Sequence, residues 1–488
     1  MADTQLFVDR PRDPLVASRK QATPRARRAR EESLGREESL GTVLAPTRAS
    51  APASRREMLG GEVLGRKELP GSPAAPGEDL GRRPGVRPEL RPASPHFSTG
   101  PTAKPPSWSL NALEALYVPG RSHRSQPCKA QLEEVVERSL ALLELPAGWL
   151  CAIVPGSDTG AVELALWTFL SEARGVDVLS FDSFSAAWAK DVSGSLGLKN
   201  VRVLEADYGK VPDLERLNFD RDVVLTWNGT TAGTCLPADD FIPAQRKGLV
   251  ICDATSAAFA IPMPFEKLDV VTWSWQKCLG GEGGHGMIAL SPAAQNRLNA
   301  GDLPRGLPKV FDMTKAGKVN ASLFQGATLN TPSMLAVADH LLGLEWAQEI
   351  GGLSVLYDRV AANYQAVAAY VEASPNWDFL ATDPAVRSPT ALCLTCTHPR
   401  FVGLEESGQR LLLKQLQKRL EALEVAYDIG SYRNAPPGLR LWGGPTVAAA
   451  DLAALMPWID WALELEIELH KSHEPHEPHE LHKGPNHA

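Results

Sequence analysis

The sequence lacks long apolar segments and has few cysteines for its length. No run among its 488 residues reaches the roughly eighteen apolar residues that a transmembrane helix needs. The charged N-terminus, broken by prolines, has no apolar core of a secretory signal. Seven cysteines, an odd number, favour free thiols in a reducing compartment, and a net charge of −8 gives no reason to expect nucleic-acid binding. These absences predict a cytoplasmic protein with neither a membrane nor a nucleic-acid partner.

Both ends of the chain lack the residues that build a core. Residues 1–92 contain no Trp, Tyr or Cys but 20 Gly plus Pro, 18 Lys plus Arg and 13 Asp plus Glu, which predicts a disordered, low-complexity extension. Its basic run at 24–30 is typical of organelle transit peptides, but the interleaved acidic residues argue against targeting. Residues 469–488 form a predicted flexible tail, and its part 472–488 holds five of the eleven histidines. Histidine clusters can bind metal, but a flexible tail offers no fixed geometry, so no metal site is predicted.

The body of the chain alternates short apolar runs with helical stretches. The runs are rich in β-branched residues and lie at 150–154, 176–181, 222–227, 248–253, 269–275 and 285–291. Continuous apolar strands separated by helices predict an α/β fold, in which a mostly parallel sheet is covered on both faces. From about residue 340, helices and strands near 390–396 and 437–442 predict a smaller α+β domain. We therefore predict a large domain at 93–335 and a small one at 336–468.

One lysine stands where an unused lysine would be costly. Lys277 directly follows an apolar strand and enters the glycine-rich segment 280–284. Its amine can form a Schiff base with an aldehyde if burial lowers its pKa, and glycines let the backbone turn closely around a bulky group. The alternative is a surface lysine at a strand end.

Two further strand ends carry polar residues, and ligands gather at the carboxyl ends of parallel strands. Asp253 ends the strand at 248–253, where a carboxylate can keep a pyridine nitrogen protonated or simply cap a turn. Ser157, Asp158 and Thr159 follow another strand at the start of a helix. Free backbone N–H groups there suit an anion, although the segment taken alone is better explained as an ordinary helix cap.

Outside the sheet, arginines and two cysteines are candidate ligands. Arg124, Arg433 and Arg440 could converge on a substrate with two negative charges, because arginine pairs bidentately with carboxylate and phosphate. Taken singly, each fits a surface charge. Cys393 and Cys396 are spaced as a metal pair, but their strand-like setting favours two small apolar side chains.

Together these segments resemble the phosphoserine aminotransferases, a family of the class V aminotransferases with the fold-type I architecture. The resemblance runs from residue 95 to residue 463, and its motifs occur in the family's order. They are GRSHR, GSDTGAVE, WNGTTAG, CDATSA, SWQK followed by LGGEGGHG, LNTPSML and GLRLW.

The resemblance implies pyridoxal 5'-phosphate as the cofactor. Lys277 would form the Schiff base and carry the substrate's α-proton, and Asp253 would pair with the pyridinium nitrogen. An aromatic side chain would stack on the ring, with Phe184 the first candidate and Trp188 the second. The other implied cofactor residues are Thr230 near the ring hydroxyl, Asp158, Thr159 and Gln276 at the phosphate, and Asn330 and Thr331 reaching that phosphate from a second subunit.

The resemblance also implies substrates and a homodimer with shared active sites. L-glutamate would donate an amino group to 3-phosphohydroxypyruvate in L-serine biosynthesis, and the phosphorylated hydroxythreonine precursor of vitamin B6 is a candidate second substrate. Arg440 would bind the α-carboxylate, and His123, Arg124 and Arg433 would bind the distal anion. The segment 93–130 would thus contribute to the substrate site.

The sequence departs from the family pattern at two places, and three other functions compete. Many family members have Trp where Phe184 stands and Gly-Arg where Asp158 and Thr159 stand, which puts single contacts in doubt rather than the reaction. The enzyme alternative is a class V transaminase of the serine/alanine–glyoxylate type. The substrates of such enzymes have small uncharged side chains, so their binding needs fewer arginines. A cysteine desulfurase would need a cysteine in a mobile loop, and this sequence offers none, because Cys278 is fixed beside Lys277. A non-catalytic scaffold would not need both Lys277 and Asp253.

Overall fold

The fold is taken from a computed structural model of the chain, which describes residues 85–237, 241–301 and 304–471. The histidine-rich segment 472–488 and most of the predicted extension, residues 1–84, lie outside the described residues. Described residues of the predicted extension therefore begin at Gly85.

Fourteen strands occur in the described residues, and seven of them build one sheet. In chain order they are β1 Leu150–Pro155, β2 Val176–Ser180, β3 Val201–Glu205, β4 Asp222–Thr226, β5 Asn228–Gly229, β6 Thr234–Cys235, β7 Val250–Asp253, β8 Val270–Ser274, β9 His285–Leu290, β10 Thr314–Lys315, β11 Lys318–Val319, β12 Trp377–Phe379, β13 Ala391–Cys396 and β14 Leu439–Trp442. The seven-stranded sheet has the order β1-β9-β8-β7-β4-β2-β3. β9 is antiparallel to both of its neighbours, and the other adjacent pairs are parallel.

The mostly parallel sheet is covered on both faces, which confirms the predicted α/β fold. Alternate residues of β1 enter different apolar clusters: Cys151 and Ile153 face one core, whereas Ala152 and Val154 face the other. Because side chains alternate across a strand, a strand buried on both faces must be apolar throughout. This is why the runs read from the sequence were continuous rather than alternating.

Ten α-helices are present in the described residues. They are α1 Leu110–Leu116, α2 Gln126–Leu142, α3 Ser157–Phe169, α4 Ser183–Lys190, α5 Pro292–Asn299, α6 Met334–Glu349, α7 Leu353–Ala373, α8 Pro399–Val402, α9 Glu406–Ala422 and α10 Ala449–Lys471. α3 packs on β1, β8 and β9, while α2 packs on β1 and α6. None of the described helices combines the length and apolarity that a bilayer crossing would require.

The C-terminal third builds a second sheet of three antiparallel strands in the order β12-β13-β14. α10 packs against α7 and α9, and α7 also contacts β12. Cys393 and Cys396 are buried free thiols on β13. Register pairs Cys393 with Arg440 of β14, so this sheet positions one of the predicted substrate arginines. The domain boundary near residue 335 stays a prediction.

Residues 85–92 lie against α10 although they fall within the predicted extension. The indole Nε1 of Trp458 donates a hydrogen bond to the Leu90 carbonyl at 2.7 Å. The guanidinium groups of Arg87 and Arg91 lie 5.1 and 5.9 Å from the centre of the Trp458 ring. Arg91 also donates to the Leu423 carbonyl at the end of α9. This short segment therefore ties the two C-terminal helices together.

These contacts separate two truncations that the sequence alone treats alike. We expect a protein that begins at residue 85 to keep its activity and its melting temperature. A protein that begins at residue 93 loses the contacts of Arg87 and Arg91 with Trp458, which are worth about 1–3 kcal/mol in total, and should melt several degrees lower. Thermal unfolding of both truncations checks this. Equal melting temperatures would contradict the stabilising role of residues 85–92.

Candidate active site

Lys277 lies three residues beyond the end of β8, and its side chain is held close to the segment 99–102. Its Nζ donates to the Thr99 carbonyl at 2.5 Å, and the Thr102 hydroxyl donates to the Lys277 carbonyl at 2.6 Å. Burial lowers the pKa of the Lys277 amine; Asp158 opposes this shift and Arg440 adds to it. Burial disfavours the charged ammonium form, so the site favours a neutral, nucleophilic amine.

Gly100 makes this close approach possible. A Cβ atom at Gly100 would lie 2.6 Å from Lys277 Nζ and 3.1 Å from its Cε. Any side chain there would displace the amine, so the position requires glycine. The segment lies near residue 95, where the region of family resemblance begins, yet none of its residues was predicted to touch the lysine.

Asp253 ends β7 and is almost fully buried. Its Oδ1 accepts the backbone N–H of Thr255 at 3.0 Å, and its Oδ2 accepts the indole N–H of Trp188 at 3.0 Å. Burial, reinforced by the negative charge of Asp158, raises the pKa of Asp253 to about 6, while the hydrogen bonds from Thr255 and Trp188 act to lower it. Trp188 was the second candidate for stacking on the cofactor; the structure places its indole N–H on this carboxylate instead.

Asp182 connects the start of α4 to the WNGTTAG turn. Its Oδ1 accepts the backbone N–H groups of Phe184 and Ser185 and forms a capping box. Its Oδ2 accepts the hydroxyl of Thr231 at 3.1 Å. Thr230, the residue before Thr231, donates a hydrogen bond from its hydroxyl to the Ser256 hydroxyl at 2.8 Å. One buried carboxylate thus fixes Phe184 relative to the turn that carries Thr230.

Tyr432 brings three predicted site residues together. Its ring lies 5.5 Å from that of Phe184, with an interplanar angle of 46°. The guanidinium groups of Arg433 and Arg440 lie 5.6 and 5.7 Å from the Tyr432 ring centre. The Nε of Arg440 is buried and has no hydrogen-bond partner. A buried donor without a partner is costly, so this group suits an incoming acceptor.

The first turn of α3 lies beside Gln276 and close enough to Lys277 to affect its charge. Gly156 adopts a left-handed conformation with φ of 86°, which turns the chain from β1 into the helix. The Asp158 carboxylate accepts from Ser157 at 3.0 Å and from Gln276 at 3.4 Å. Thr159 is exposed. The free N–H groups of this turn suit an anion, whereas the Asp158 side chain would repel one.

Four predicted residues lie elsewhere on the chain. His123 and Arg124 line a cavity of about 400 Å³ together with residues of the segment 322–328. Asn330 and Thr331 follow that segment and are exposed, and the Thr328 hydroxyl donates to the Asn330 carbonyl at 2.6 Å. The structure therefore groups His123 and Arg124 with the segment leading to Asn330, and groups Lys277 with Asp253, Asp158 and Arg440.

A ring stack that the sequence did not reveal supports the loop after Lys277. The Trp275 ring is stacked between His285 at 4.5 Å and His340 at 4.6 Å. The neighbouring Asp339 accepts the backbone N–H of Glu282 at 2.9 Å. Burial lowers the pKa of His285 to about 4 and that of His340 to about 3. Both imidazoles are therefore neutral near pH 7, and spacing along the chain gave no signal of the stack because α6 supplies His340.

The two depressed pKa values predict a loss of stability in acid. An unfolded chain protonates these histidines near pH 6.5, whereas the folded one resists until about pH 4 and pH 3. Their stabilisation is complete above pH 6.5 and declines as the pH falls, by about 1.4 kcal/mol per pH unit for each imidazole. Denaturant unfolding at pH 6.5 and 4.5 measures this. Between these pH values the free energy of unfolding should fall less for the variant His340→Phe than for the wild type. An equally steep fall would show that His340 does not cause the acid sensitivity.

The charge pattern of the site fits an aldehyde cofactor with a basic ring nitrogen. Lys277 offers an amine with a lowered pKa, and Asp253 is a buried carboxylate with no ion pair to another described residue. A buried carboxylate is costly without a cation. A protonated pyridine would supply that cation.

This combination of fold and site defines a class of lysine-dependent transferases, and sequence comparison agrees. The family model described as aminotransferase class-V matches residues 170–403. A phosphoserine aminotransferase of Methanosarcina mazei is 50% identical over 381 residues, which cover 78% of this chain and 100% of the relative. One from Methanosarcina barkeri is 49% identical with the same coverage. The chain belongs to the phosphoserine aminotransferase family, which confirms the resemblance.

Solved structures share the fold at low sequence identity. Phosphoserine aminotransferase from Bacillus circulans subsp. alkalophilus has a TM-score of 0.59 at 21% identity, covering 78% of this chain and 98% of that one. Ureidoglycine–glyoxylate aminotransferase from Bacillus subtilis has a TM-score of 0.61 at 18% identity, covering 79% and 95%. Because enzymes with different substrates share this fold equally well, the substrate must be argued from the side chains.

Proposed function

We propose that the protein is a pyridoxal-phosphate-dependent phosphoserine aminotransferase. It would transfer an amino group from L-glutamate to 3-phosphohydroxypyruvate and form 2-oxoglutarate and O-phospho-L-serine. The observation that carries the proposal is the pairing of Lys277, whose amine has a lowered pKa, with the buried carboxylate of Asp253. The two Methanosarcina relatives, which are 50% and 49% identical to this chain, are named for the same activity.

Each cofactor contact corresponds to a group described above. Lys277 would bind the aldehyde, Asp253 the ring nitrogen, and Phe184 the face of the ring. Thr230 keeps acceptor capacity beyond its hydrogen bond to Ser256 and would face the ring hydroxyl. The N–H groups of the first turn of α3, with the side chains of Thr159 and Gln276, would hold the phosphate. When bound, the cofactor withdraws electrons from the substrate's α-carbon.

The proton steps fall to Lys277. In one half-reaction the Lys277 amine would accept the proton from the substrate's α-carbon and pass it to the cofactor carbon that carries the aldehyde, and the other half-reaction would run this transfer in reverse. Its lowered pKa shifts this amine toward the neutral form, which is the form that can accept a proton. Asp158 opposes that shift and so keeps the pKa of the amine from falling further.

The arginines define the substrate class. Arg440 has an unpartnered buried Nε and would bind the α-carboxylate common to both substrates. Arg433 is exposed and stands on the same Tyr432 ring, where it would bind the distal carboxylate or phosphate. One cationic pocket can serve either anion. A transaminase for small uncharged side chains would have no use for Arg433.

A coupled transamination assay tests the substrate directly. The protein is supplied with glutamate and, in turn, with 3-phosphohydroxypyruvate, glyoxylate and pyruvate as amino acceptors. We expect kcat/KM to be at least about a hundredfold higher for the phosphorylated acceptor, because the other two leave the distal cations unpaired. A preference for glyoxylate or pyruvate would overturn the proposal. Use of the vitamin B6 precursor stays a prediction for the same assay.

We further propose a homodimer in which His123, Arg124, Asn330 and Thr331 serve the partner's site. Support comes from the exposure of Asn330 and Thr331 and from the grouping of His123 and Arg124 apart from Lys277. Mixing inactive Lys277→Ala with inactive Arg124→Ala subunits should restore up to about a quarter of the activity, because one site of the mixed dimer is intact. No restoration would contradict shared sites. The seven free cysteines support the predicted cytoplasmic location.

A further inference from the structure

The Asp253 carboxylate is held by two donors that come from distant parts of the chain. Thr255, two residues downstream, holds Oδ1 through its backbone N–H. Trp188, on α4, holds Oδ2 through its side chain. The Thr255 side chain also favours the ionised form of this carboxylate. The indole N–H of Trp188 is the donor that reaches Asp253 from another element of the fold, and a substitution on α4 removes it.

Helix α4 presents Trp188 in a fixed position. Its N-terminus is closed by the Asp182 capping box, and the Trp188 side chain is 4% exposed within an apolar cluster that includes Ala189 and Val192. Residues four apart lie on the same helix face. Phe184 and Trp188 therefore lie on the same face of α4. Phe184 is predicted to stack on the cofactor ring, and Trp188 holds the carboxylate that is predicted to bind the ring nitrogen.

We propose that Trp188 is a positioning residue for the cofactor, acting through Asp253: its N–H holds the carboxylate ionised and oriented toward the ring nitrogen. The inference rests on the proposed function, since it assigns a role toward that cofactor. An indole N–H donates and cannot accept, so it stabilises the carboxylate more than the neutral acid. Burial and the charge of Asp158 act in the opposite sense.

The charged surroundings of Asp253 make this donor matter near neutral pH. Asp158 on α3 raises its pKa, and the thiol of Cys252 is its neighbour on β7. Lys277 after β8 is the nearby basic group whose own pKa responds to Asp253. Because the pKa of Asp253 already stands at about 6, loss of the Trp188 donor would raise it further toward neutral pH, and the acid form does not attract a pyridinium.

The test compares Trp188→Phe with a matched control, Trp273→Phe. Trp273 is a buried tryptophan on β8 whose Nε1 has no hydrogen-bond partner, so its replacement removes similar volume without removing a hydrogen bond. The dissociation constant of pyridoxal phosphate is measured on cofactor-free protein at pH 6.5 and 8.5. We expect Trp188→Phe to weaken binding about tenfold at pH 6.5 and less than threefold at pH 8.5. For the control Trp273→Phe, the dissociation constant of pyridoxal phosphate should change by the same small factor at both pH values.

A second measurement needs no cofactor. In the cofactor-free protein, Trp188→Phe should lower the melting temperature more at pH 8.5 than at pH 5, because only the ionised carboxylate loses a strong hydrogen bond. In an Asp253→Ala background the substitution should add no pH-dependent effect. Equal losses at both pH values, or the same effect without Asp253, would show that Trp188 acts by packing alone. A wild type that binds no pyridoxal phosphate would instead overturn the proposed function, and the melting result would still decide the Trp188–Asp253 link.

Discussion

Replacement of Lys277 by alanine is expected to leave a folded protein that is colourless and inactive. The wild type should absorb visible light when pyridoxal phosphate is joined to the lysine, and no other described amine shares its position beside Asp253 and Arg440. The variant loses both the covalent attachment and the proton carrier. Since general acid–base catalysis alone is worth about 10²- to 10⁴-fold, we expect kcat to fall at least about 10⁴-fold. Absorbance and single-turnover kinetics measure the two losses.

A matched lysine separates this effect from a loss of charge. Lys210 is an exposed lysine paired with Asp207, and Lys210→Ala should keep both the colour and the activity. A colourless wild type would refute the cofactor assignment, whereas a coloured Lys277→Ala protein would move the attachment to another lysine. Melting temperatures measured alongside show whether the variant is folded.

Replacement of Arg440 by alanine should weaken both substrates together. Its guanidinium stands over Tyr432 with a buried, unpartnered Nε, and both substrates present an α-carboxylate. Removing one member of a desolvated charge pair costs about 2–5 kcal/mol, so kcat/KM should fall by about 30-fold or more for glutamate and for 3-phosphohydroxypyruvate alike. Steady-state kinetics with each substrate varied in turn gives the two ratios.

Arg433 provides the contrast for Arg440. It lies on the same tyrosine ring but is exposed, and we assign it to the distal anion. Arg433→Ala should therefore change the preference between the carboxylate-tailed and phosphate-tailed substrates, while Arg440→Ala should leave that preference unchanged. If Arg440→Ala impaired one substrate alone, its role at the α-carboxylate would be wrong.

Patterns local in sequence predicted the fold well, and edge elements were missed. Buried strands such as β7 and β8 are continuous apolar runs, which periodicity can detect. β3 escaped prediction because it lies at the sheet edge and Arg202, Val203 and Glu205 are exposed. Helix α3 begins at Ser157, directly after Gly156, whose left-handed conformation turns the chain from β1 into the helix. Helix and strand ends depend on single backbone conformations that composition does not encode.

For the site, sequence could name chemical groups but not their partners. Lys277 and Asp253 stand at strand ends, so their burial and altered pKa values could be anticipated. The Thr99 carbonyl, the Tyr432 ring and the His340 imidazole come from segments 178, 155 and 63 residues from Lys277, and only folding brings them near. The change of role for Trp188, from stacking candidate to hydrogen-bond donor, has the same cause: helical spacing fixes its face but not what that face meets.

The contact between Phe184 and Tyr432 provides a physical link between the proposed cofactor pocket and the proposed substrate pocket. Phe184 belongs to the segment that would hold the cofactor, and Tyr432 carries the cations that would hold the substrate. A substrate anion that moved Arg440 would also move Tyr432, and with it the surface that Phe184 offers to the cofactor ring. Thermodynamic linkage makes such an effect reciprocal. Binding of the cofactor would therefore change the affinity for the substrate anion by the same factor by which the substrate anion changes the affinity for the cofactor.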